Sequence, residues 1–483
     1  MLDADTCHAA LDARDRRFDG RFYTGVLSTG IYCRCICPAR TPKRVNRRFF
    51  ASAAAAESAS FRPCLICRPE RAPGFAPIDA PARLAAQALA RIEAGALEER
   101  GLSELAQELG VTDRHLRRVM RENFGASPIE LAQTARLLAA KRLLTETALP
   151  ITEIAFASGF KSLRRFNAAM KARYGFAPSR LRAKNAKASS NAITLTLAAR
   201  DTYDPAPIFE FLSTRAQPGI EHVAPGAYTR TLQIGDAKGW IKLTPEAAGL
   251  TLQVAETLTP KLRPLITAVR AAFDLDADIS AIDERLAMDA RMSGSVVSDP
   301  RVRIAGGVEG FEIAVRAVLG QQITVRAAQN LVAKLCARFG EQASDAPDGL
   351  TLLFPSSARL AAASADEIAS LGMPRARAET LHALASAHAS GELLLAQGAI
   401  AAGREGLARI KGVGPWTIEY IALRALADPD AYPASDAALV AALGAKGETL
   451  AHLSPWRGYA AMRLWREVAQ KAEAAKSKKG KAT

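Results

Sequence analysis

The sequence predicts a multidomain protein, mainly α with α+β parts, and three observations predict it. A chain of 483 residues is about three times the roughly 150 residues of a common single domain. Six of its seven cysteines lie in the first 67 residues, which sets one small unit apart by its chemistry. Beyond them the apolar spacing is helical, then strand-like, then helical again, a succession that one layer architecture does not produce. Composition agrees, because 49% hydrophobic against 23% charged residues is a globular balance. No apolar run approaches the roughly 20 residues that cross a bilayer. The opening residues MLDADTCHAALDARDRR lack the apolar core of an export signal, so a cytoplasmic location and no membrane partner are expected.

Charge is unevenly distributed. Residues 1–184 hold 31 basic and 18 acidic residues, whereas residues 185–483 hold 33 and 31. The positive field therefore belongs to the first part of the chain. A polyanion partner, most simply nucleic acid, is expected there, with a merely soluble basic surface as the alternative.

Pro73, Gly74, Pro77 and Pro81 close a first unit, residues 1–78. Within it Cys33, Cys37, Cys64 and Cys67 form a C-x3-C and a C-x2-C pair, each close enough to hold a metal ion from a tight turn. Four thiolates are the tetrahedral donor set of one zinc ion, with no position left for water. Cys35, inside the first pair, is a further thiol that could compete as ligand or nucleophile. A structural zinc knuckle would account for these cysteines without any chemistry. The segments RFDGRFYTGVLSTGIYCRCICPAR and FRPCLICRPE resemble the amino-terminal domain of the Ada family of bacterial adaptive-response proteins, over about the first 75 residues. That resemblance implies that Cys33 accepts a methyl group from a DNA methyl phosphotriester, zinc keeping its sulfur a nucleophilic thiolate. Methylation would remove one negative charge from the centre and tighten DNA binding, a chemical switch. Ile66 stands where the family often has a basic residue.

Residues 82–183 carry apolar residues at helical spacing with short Gly or Ser/Thr/Asp breaks, so this unit is helical. GLSELAQELGVTDRHLRRVMRENFG reads as helix, glycine turn and helix, with Thr112 or Asp113 as cap. ITEIAFASGFKSLRRFNAAMKARYGFAPSRLR repeats the plan, and a helix over residues 129–144 joins the two. The pair resembles an AraC-type DNA-binding domain, GFKSLRRFNAAMKARYGFAPS being its specific stretch. By that resemblance each second helix enters a major groove of double-stranded DNA. Arg114, His115, Arg117, Arg118 and Arg121 would supply the first contacts, and Lys161, Ser162, Arg164 and Arg165 the second. Some of these could simply coat a solvated face.

The polar residues 184–192 read as a linker. From Ile193 come short alternating stretches, ITLTLAA, YTRTLQI and LTLQVAE, so residues 193–305 are expected to form a β-rich antiparallel subdomain. Helices are expected over residues 306–470, and a basic unstructured tail over 471–483 that adds phosphate affinity.

In the last unit LARIKGVGPWTIEYIALRAL reads as helix, hairpin and helix. Gly412 and Gly414 permit close approach to a phosphate, free amides opening the second helix can hold it, and Lys411 stands on the phosphate side. Asp436 opens a further helix after a proline turn, where a plain N-cap is the simplest reading. With FEIAVRAVLGQQITV and SPWRGYAAMRLW, these segments resemble helix-hairpin-helix DNA glycosylases, and among them the AlkA family of alkylbase glycosylases, over about residues 193–470. The resemblance implies excision of alkylated bases such as 3-methyladenine after the nucleotide leaves the stack. Trp416, Tyr420 and Trp465 match the base pocket, where aromatic faces attract a cationic base, although the helical spacing of Trp416 and Tyr420 also fits core packing. Asp436 would stabilise the oxocarbenium-like sugar and orient water. Gln322 occupies the position of the family's apolar wedge. Trp416 stands where strand-nicking relatives carry a lysine amine, so no lyase step is expected. Cys336 alone is too few cysteines for an iron–sulfur cluster.

The whole reads as a bifunctional adaptive-response protein: an Ada-like zinc domain, an AraC-type domain and an AlkA-like glycosylase. Its partners would be promoter DNA, alkylated DNA and RNA polymerase. No Pro-Cys-His-Arg motif appears, so the alkylguanine methyltransferase part of Ada proteins is not expected. Two alternatives stand: a damage-binding transcription factor that does not cleave, and a glycosylase whose first two domains only target DNA.

Overall fold

The computed structural model describes residues 4–14, 22–50, 53–67, 69, 80–93, 95–99, 101–147, 149–182, 192–444 and 449–480. In the first unit four short strands, β1 (Tyr23–Val26), β2 (Ile31–Arg34), β3 (Arg47–Phe50) and β4 (Arg62–Pro63), form a sheet of order β3-β1-β2-β4. Only the β2–β4 pair is parallel. Gly25 in β1 is required, because a Cβ there would come within 2.7 Å of the Phe50 ring and 2.8 Å of Phe61. Its absence lets those two rings meet edge to face at 5.3 Å. The buried residues fall into three small groups, around Phe22, around Tyr32 and around the thiols, rather than one core. A unit this thin depends on a cross-link or a metal.

Both helix-turn-helix units form as expected. Helices Leu102–Glu108 and Asp113–Phe124 make the first, and Thr112 rather than Asp113 is the cap, its hydroxyl accepting the His115 amide at 3.3 Å. Helix Pro128–Glu146 joins the units and opens with a capping box between Ser127 and Glu130. Helices Ile151–Ala157 and Leu163–Tyr174 make the second. The two units differ in what they bury. The first has its own core around Leu105, Leu116 and Met120. In the second, Leu143, Ile154 and Phe166 belong to one continuous core with Ile193, Leu195 and Leu197 of the following sheet.

Residues 184–191 of the expected linker lie outside the described residues, and Ala192 already begins strand β5 (Ala192–Ala198). With β6 (Glu221–Ala224), β7 (Ala227–Ile234), β8 (Ala237–Glu246) and β9 (Gly249–Ala255) it forms an antiparallel sheet of order β5-β9-β8-β7-β6. The β-rich character expected to Ala305 ends at Ala255. Residues Leu262–Ala272, Ile279–Leu286 and Ser293–Ser298 are helices. The reason is readable in LRPLITAVRAA, whose Leu262, Leu265, Val269 and Ala272 repeat at helical spacing and are all buried. The tail also departs from expectation: helix Arg457–Gly480 continues through its basic residues, and residues 481–483 lie outside the described ones. No helix among the described residues is long and apolar enough to cross a membrane.

Candidate functional site

Strand β2 and the turns after β2 and β4 bring the sulfurs of Cys33, Cys37, Cys64 and Cys67 within 4.8 Å of one another. Cys37 and Cys64 are 3.9 Å apart. A tetrahedral ion at the usual zinc–sulfur length of about 2.3 Å needs sulfurs about 3.8 Å apart, so the donor set fits zinc. The charge balance points the same way. The hydrogen bond with Cys37 and its charge push the Cys33 thiol up, while the bond with Cys33 holds the Cys37 thiol down. Such crowded sulfurs share an anion between them, and only a cation lets all four ionise. Cys33 is half-exposed and the other three are buried. Cys35 stands apart from this group: β2 ends at Arg34, and the Cys35 thiol is buried in the cluster of Cys7, Leu11 and Phe22. At the tip of the second turn Leu65 and Ile66 are exposed.

On helix Asp113–Phe124 of the first unit Leu116, Val119 and Met120 face the core, leaving Arg114, Arg117, Arg118 and Arg121 exposed and His115 half-buried. Arg118 is tied to Glu122 at 3.0 Å and to His115 Nδ1 at 3.1 Å, so it is less free than its neighbours. In the second unit Arg164 and Arg165 on helix Leu163–Tyr174 and Lys161 just before its cap are exposed. Ser162 is the helix cap, its hydroxyl accepting the Arg165 amide at 3.3 Å. It therefore holds the helix that presents the cations.

The last unit contains a cavity of about 510 Å³ lined by Trp416, Tyr420, Asp436 and Trp465. Trp416 and Tyr420 lie one turn apart on helix Pro415–Arg424, and their rings stack at 5.2 Å and 17°. The Trp465 ring meets Tyr420 edge to face at 6.3 Å. Asp436 caps helix Ala437–Leu443, its Oδ1 accepting the amides of Ala438 at 3.0 Å and Leu439 at 3.2 Å. The Trp465 indole N–H donates to Oδ1 at 2.9 Å, and that of Trp416 to Oδ2 at 2.9 Å. The two indoles and two amides thus fix the carboxylate in one orientation beside the aromatic rings.

The second hairpin helix, through Trp416 and Tyr420, and the loop at Gly320 and Ile323 border this cavity, while the hairpin turn itself does not line it. Gly412 has φ +91°, and a Cβ would strike the Thr380 hydroxyl, which donates to the Lys411 carbonyl at 3.0 Å. A Cβ on Gly414 would meet nothing within 4 Å, and the residue opens its helix without a side-chain cap, which leaves the first helix amides open to an anion. Lys411 is exposed and does not line the cavity. Gln322 is exposed, in the left-handed region at φ +57°, and is not among the residues that line the cavity, to which Gly320 and Ile323 contribute. Gln321 instead braces the loop, donating to the Gly412 carbonyl at 3.0 Å and to the Thr417 hydroxyl at 2.9 Å.

Comparison with known proteins follows this order of sites. Residues 6–70 match the metal binding domain of Ada, 105–184 a helix-turn-helix domain, 194–309 the AlkA N-terminal domain, and 315–446 the HhH-GPD superfamily of base excision DNA repair proteins. A Mycobacterium tuberculosis protein named as a probable bifunctional transcriptional activator/DNA repair enzyme AlkA is 38% identical over 482 residues, covering 96% of each chain. The chain belongs to this bifunctional AlkA family. Partial relatives divide along the same lines. DNA-3-methyladenine glycosylase 2 of Escherichia coli is 31% identical over 56% of this chain and 96% of its own. The bifunctional transcriptional activator/DNA repair enzyme AdaA of Bacillus subtilis is 30% identical over 36% of this chain and 80% of its own.

Sequence reasoning missed the far wall of this family member's cavity. Arg424 donates to the Tyr420 hydroxyl at 2.7 Å, and the guanidiniums of Arg215 and Arg424 lie over the Phe211 ring at 3.9 and 4.6 Å. Burial would raise the Tyr420 phenol, but Arg424 and Arg215 outweigh it and hold the hydroxyl below its ordinary range. Behind them Arg230 and Arg316 bind Glu221, Glu309 and Glu312 in a buried chain that joins sheet to helices. The spacing of Phe211 and Arg215, one helical turn apart in an apolar stretch, was the available signal.

Proposed function

We propose that this chain is a methylation-switched transcriptional regulator and a monofunctional DNA glycosylase that removes alkylated bases such as 3-methyladenine. The glycosylase half rests on one observation: the Asp436 carboxylate, oriented by two indole N–H donors, at the edge of an aromatic cavity. A volume of about 510 Å³ lies in the range of small-ligand sites and accommodates an extruded nucleobase. There a cationic alkylated base stacks against Trp416, Tyr420 and Trp465. The C1′–N bond breaks, the base leaves with its electron pair, and positive charge develops on the sugar beside Asp436. The carboxylate stabilises that charge and directs a water, whose oxygen bonds C1′ as its proton is released. Gly412, Gly414 and Lys411 hold the DNA backbone, and Gln322 enters the gap left by the base.

For the regulatory half, Cys33, Cys37, Cys64 and Cys67 would hold one zinc ion, which keeps the sulfurs as thiolates when bound. Cys33 is the accessible sulfur of the four and is the methyl acceptor. Its Sγ bonds the methyl carbon of a DNA phosphotriester, the carbon–oxygen bond breaks, and the phosphodiester leaves with its negative charge. The thioether that results has lost the sulfur's charge, which lowers repulsion from DNA. Arg114, His115, Arg117, Arg118, Lys161, Arg164 and Arg165 then read promoter DNA in the cytoplasm, with Ser162 holding the second helix, and transcription requires RNA polymerase as a second partner. One experiment tests both halves: the purified full chain is incubated with methylated DNA, released base is measured by chromatography and protein methylation by peptide mass. Release of 3-methyladenine together with a methyl on the Cys33 peptide is expected. An unmodified protein that releases no base refutes the reading.

A further inference from the structure

The loop that delivers Asp436, residues 427–435, is held from two sides by ionic groups, of which the Asp428 and Asp430 carboxylates are buried and Arg404, Glu419 and Arg457 half-buried. On one side Asp430, almost wholly buried, accepts the Arg457 guanidinium at 2.9 and 2.7 Å and the Ser454 hydroxyl at 2.9 Å. On the other side the partner is the hairpin itself. Glu419, on the second hairpin helix, accepts the Tyr432 amide at 2.9 Å. It also takes both guanidinium nitrogens of Arg404 from the first hairpin helix, Ile400–Ala408. Arg404 reaches on to Asp428 at 2.8 Å. Glu419 therefore touches three things at once: each helix of the hairpin and the loop that ends at Asp436.

Stability does not explain this arrangement. Partly exposed ion pairs contribute little to stability, and replacing buried ones by apolar side chains is commonly neutral or stabilising, so the gain from such a group lies in fixed geometry. The geometry fixed here runs from the phosphate-binding turn to the carboxylate. Trp416 and Tyr420 share the helix of Glu419, so the aromatic wall moves with it. We propose that Glu419 is a positioning residue that makes the hairpin and the Asp436 loop one rigid unit, so that docking of the hairpin on the DNA backbone sets the carboxylate against the sugar. This rests on the assignment of Asp436 made above.

The test reads the placement of Asp436 without turnover. Duplexes carrying a cationic pyrrolidine or a neutral tetrahydrofuran abasic analogue are bound by the full chain, and the ratio of the two dissociation constants reports a negative charge at the sugar. The wild type is expected to prefer the cation. Glu419→Ala is expected to lower that preference about tenfold, the effect of one lost charge-assisted hydrogen bond, with unchanged affinity for the neutral analogue. Glu419→Gln, which keeps an acceptor for the Tyr432 amide, is expected to recover most of it, a rescue that bulk destabilisation would not give. A wild-type ratio in folded Glu419→Ala overturns the proposal. Should that variant not fold, Glu419→Asp, which withdraws the carboxylate by one methylene from the Tyr432 amide, is expected to lower the ratio likewise, and an unchanged ratio there overturns the proposal equally. Absence of any preference in the wild type overturns instead the assignment of Asp436.

Discussion

Asp436→Asn separates the two roles open to this residue. In the structure Oδ1 receives the amides of Ala438 and Leu439 and the Trp465 indole, while Oδ2 receives only Trp416. Asparagine keeps one oxygen and is as good an N-cap as aspartate, so the helix Ala437–Leu443 persists. Its amide group then faces an indole N–H, two donors without an acceptor, at a cost of about 1–3 kcal/mol. In a unit of this size that is a loss of about 2–4 °C in Tm per kcal/mol. The catalytic consequence is larger. Removing a preorganised charge-stabilising group lowers the rate by about 100- to 1000-fold. Single-turnover release of 3-methyladenine from a defined duplex should therefore fall at least about 100-fold, with affinity for abasic DNA little changed. Asp436→Ala, losing the cap as well, should cost about 1 kcal/mol more in stability and no less in rate. Excision by Asp436→Asn within a few-fold of wild type would show that Asp436 is a helix cap alone.

Mass mapping after exposure to methylated DNA should find one methyl on the Cys33 peptide and none after Cys33→Ala; a methyl on Cys35 refutes that assignment. Borohydride should trap no covalent protein–DNA adduct, since Trp416 occupies the position of the lyase amine, and an adduct lost on Lys411→Ala would point to a lyase. Burial pushes the Asp274 carboxyl up to about 7, where it accepts the Ile304 amide and the Tyr459 hydroxyl, each at 3.1 Å. The folded state then holds a proton that the unfolded chain has released, so Tm should fall as pH rises from about 4 towards 7, then level off. Asp274→Asn should flatten that slope, and a slope unaffected by the substitution refutes the assignment.

The features legible in the sequence are those whose partners are close along the chain. The C-x3-C and C-x2-C pairs, the cap–helix pattern around Thr112 and Ser162, and the hairpin at Gly412 each lie within a few residues, so spacing alone reports their geometry. Features built by distant pairing were hidden. Spacing favours Cys37 over Cys35 only through the family likeness; what keeps Cys35 out of the group is that β2 ends at Arg34 and the Cys35 thiol is buried in one cluster with Cys7 and Phe22. The helices after Ala255 were overlooked because the β pattern of the preceding strands was extended past its last repeat. Arg404 and Glu419 are 15 residues apart on different helices and show no pattern at all.

Asp436 is the instructive intermediate. From the sequence its two readings, cap and catalytic carboxylate, look like rivals, since an aspartate after a proline turn needs no further explanation. In the structure its two oxygens differ in what they accept. The amides of Ala438 and Leu439 take Oδ1 and so fix the rotation of the carboxyl group, which leaves Oδ2 with one indole donor and an unshared lone pair beside the aromatic cavity. A cap aims a carboxylate for the same reason that it stabilises a helix: its oxygen is held by backbone amides that cannot move independently. On the proposed function the ordinary role is therefore the means of the chemical one. A substitution that restores the cap but not the charge is the experiment that tells them apart.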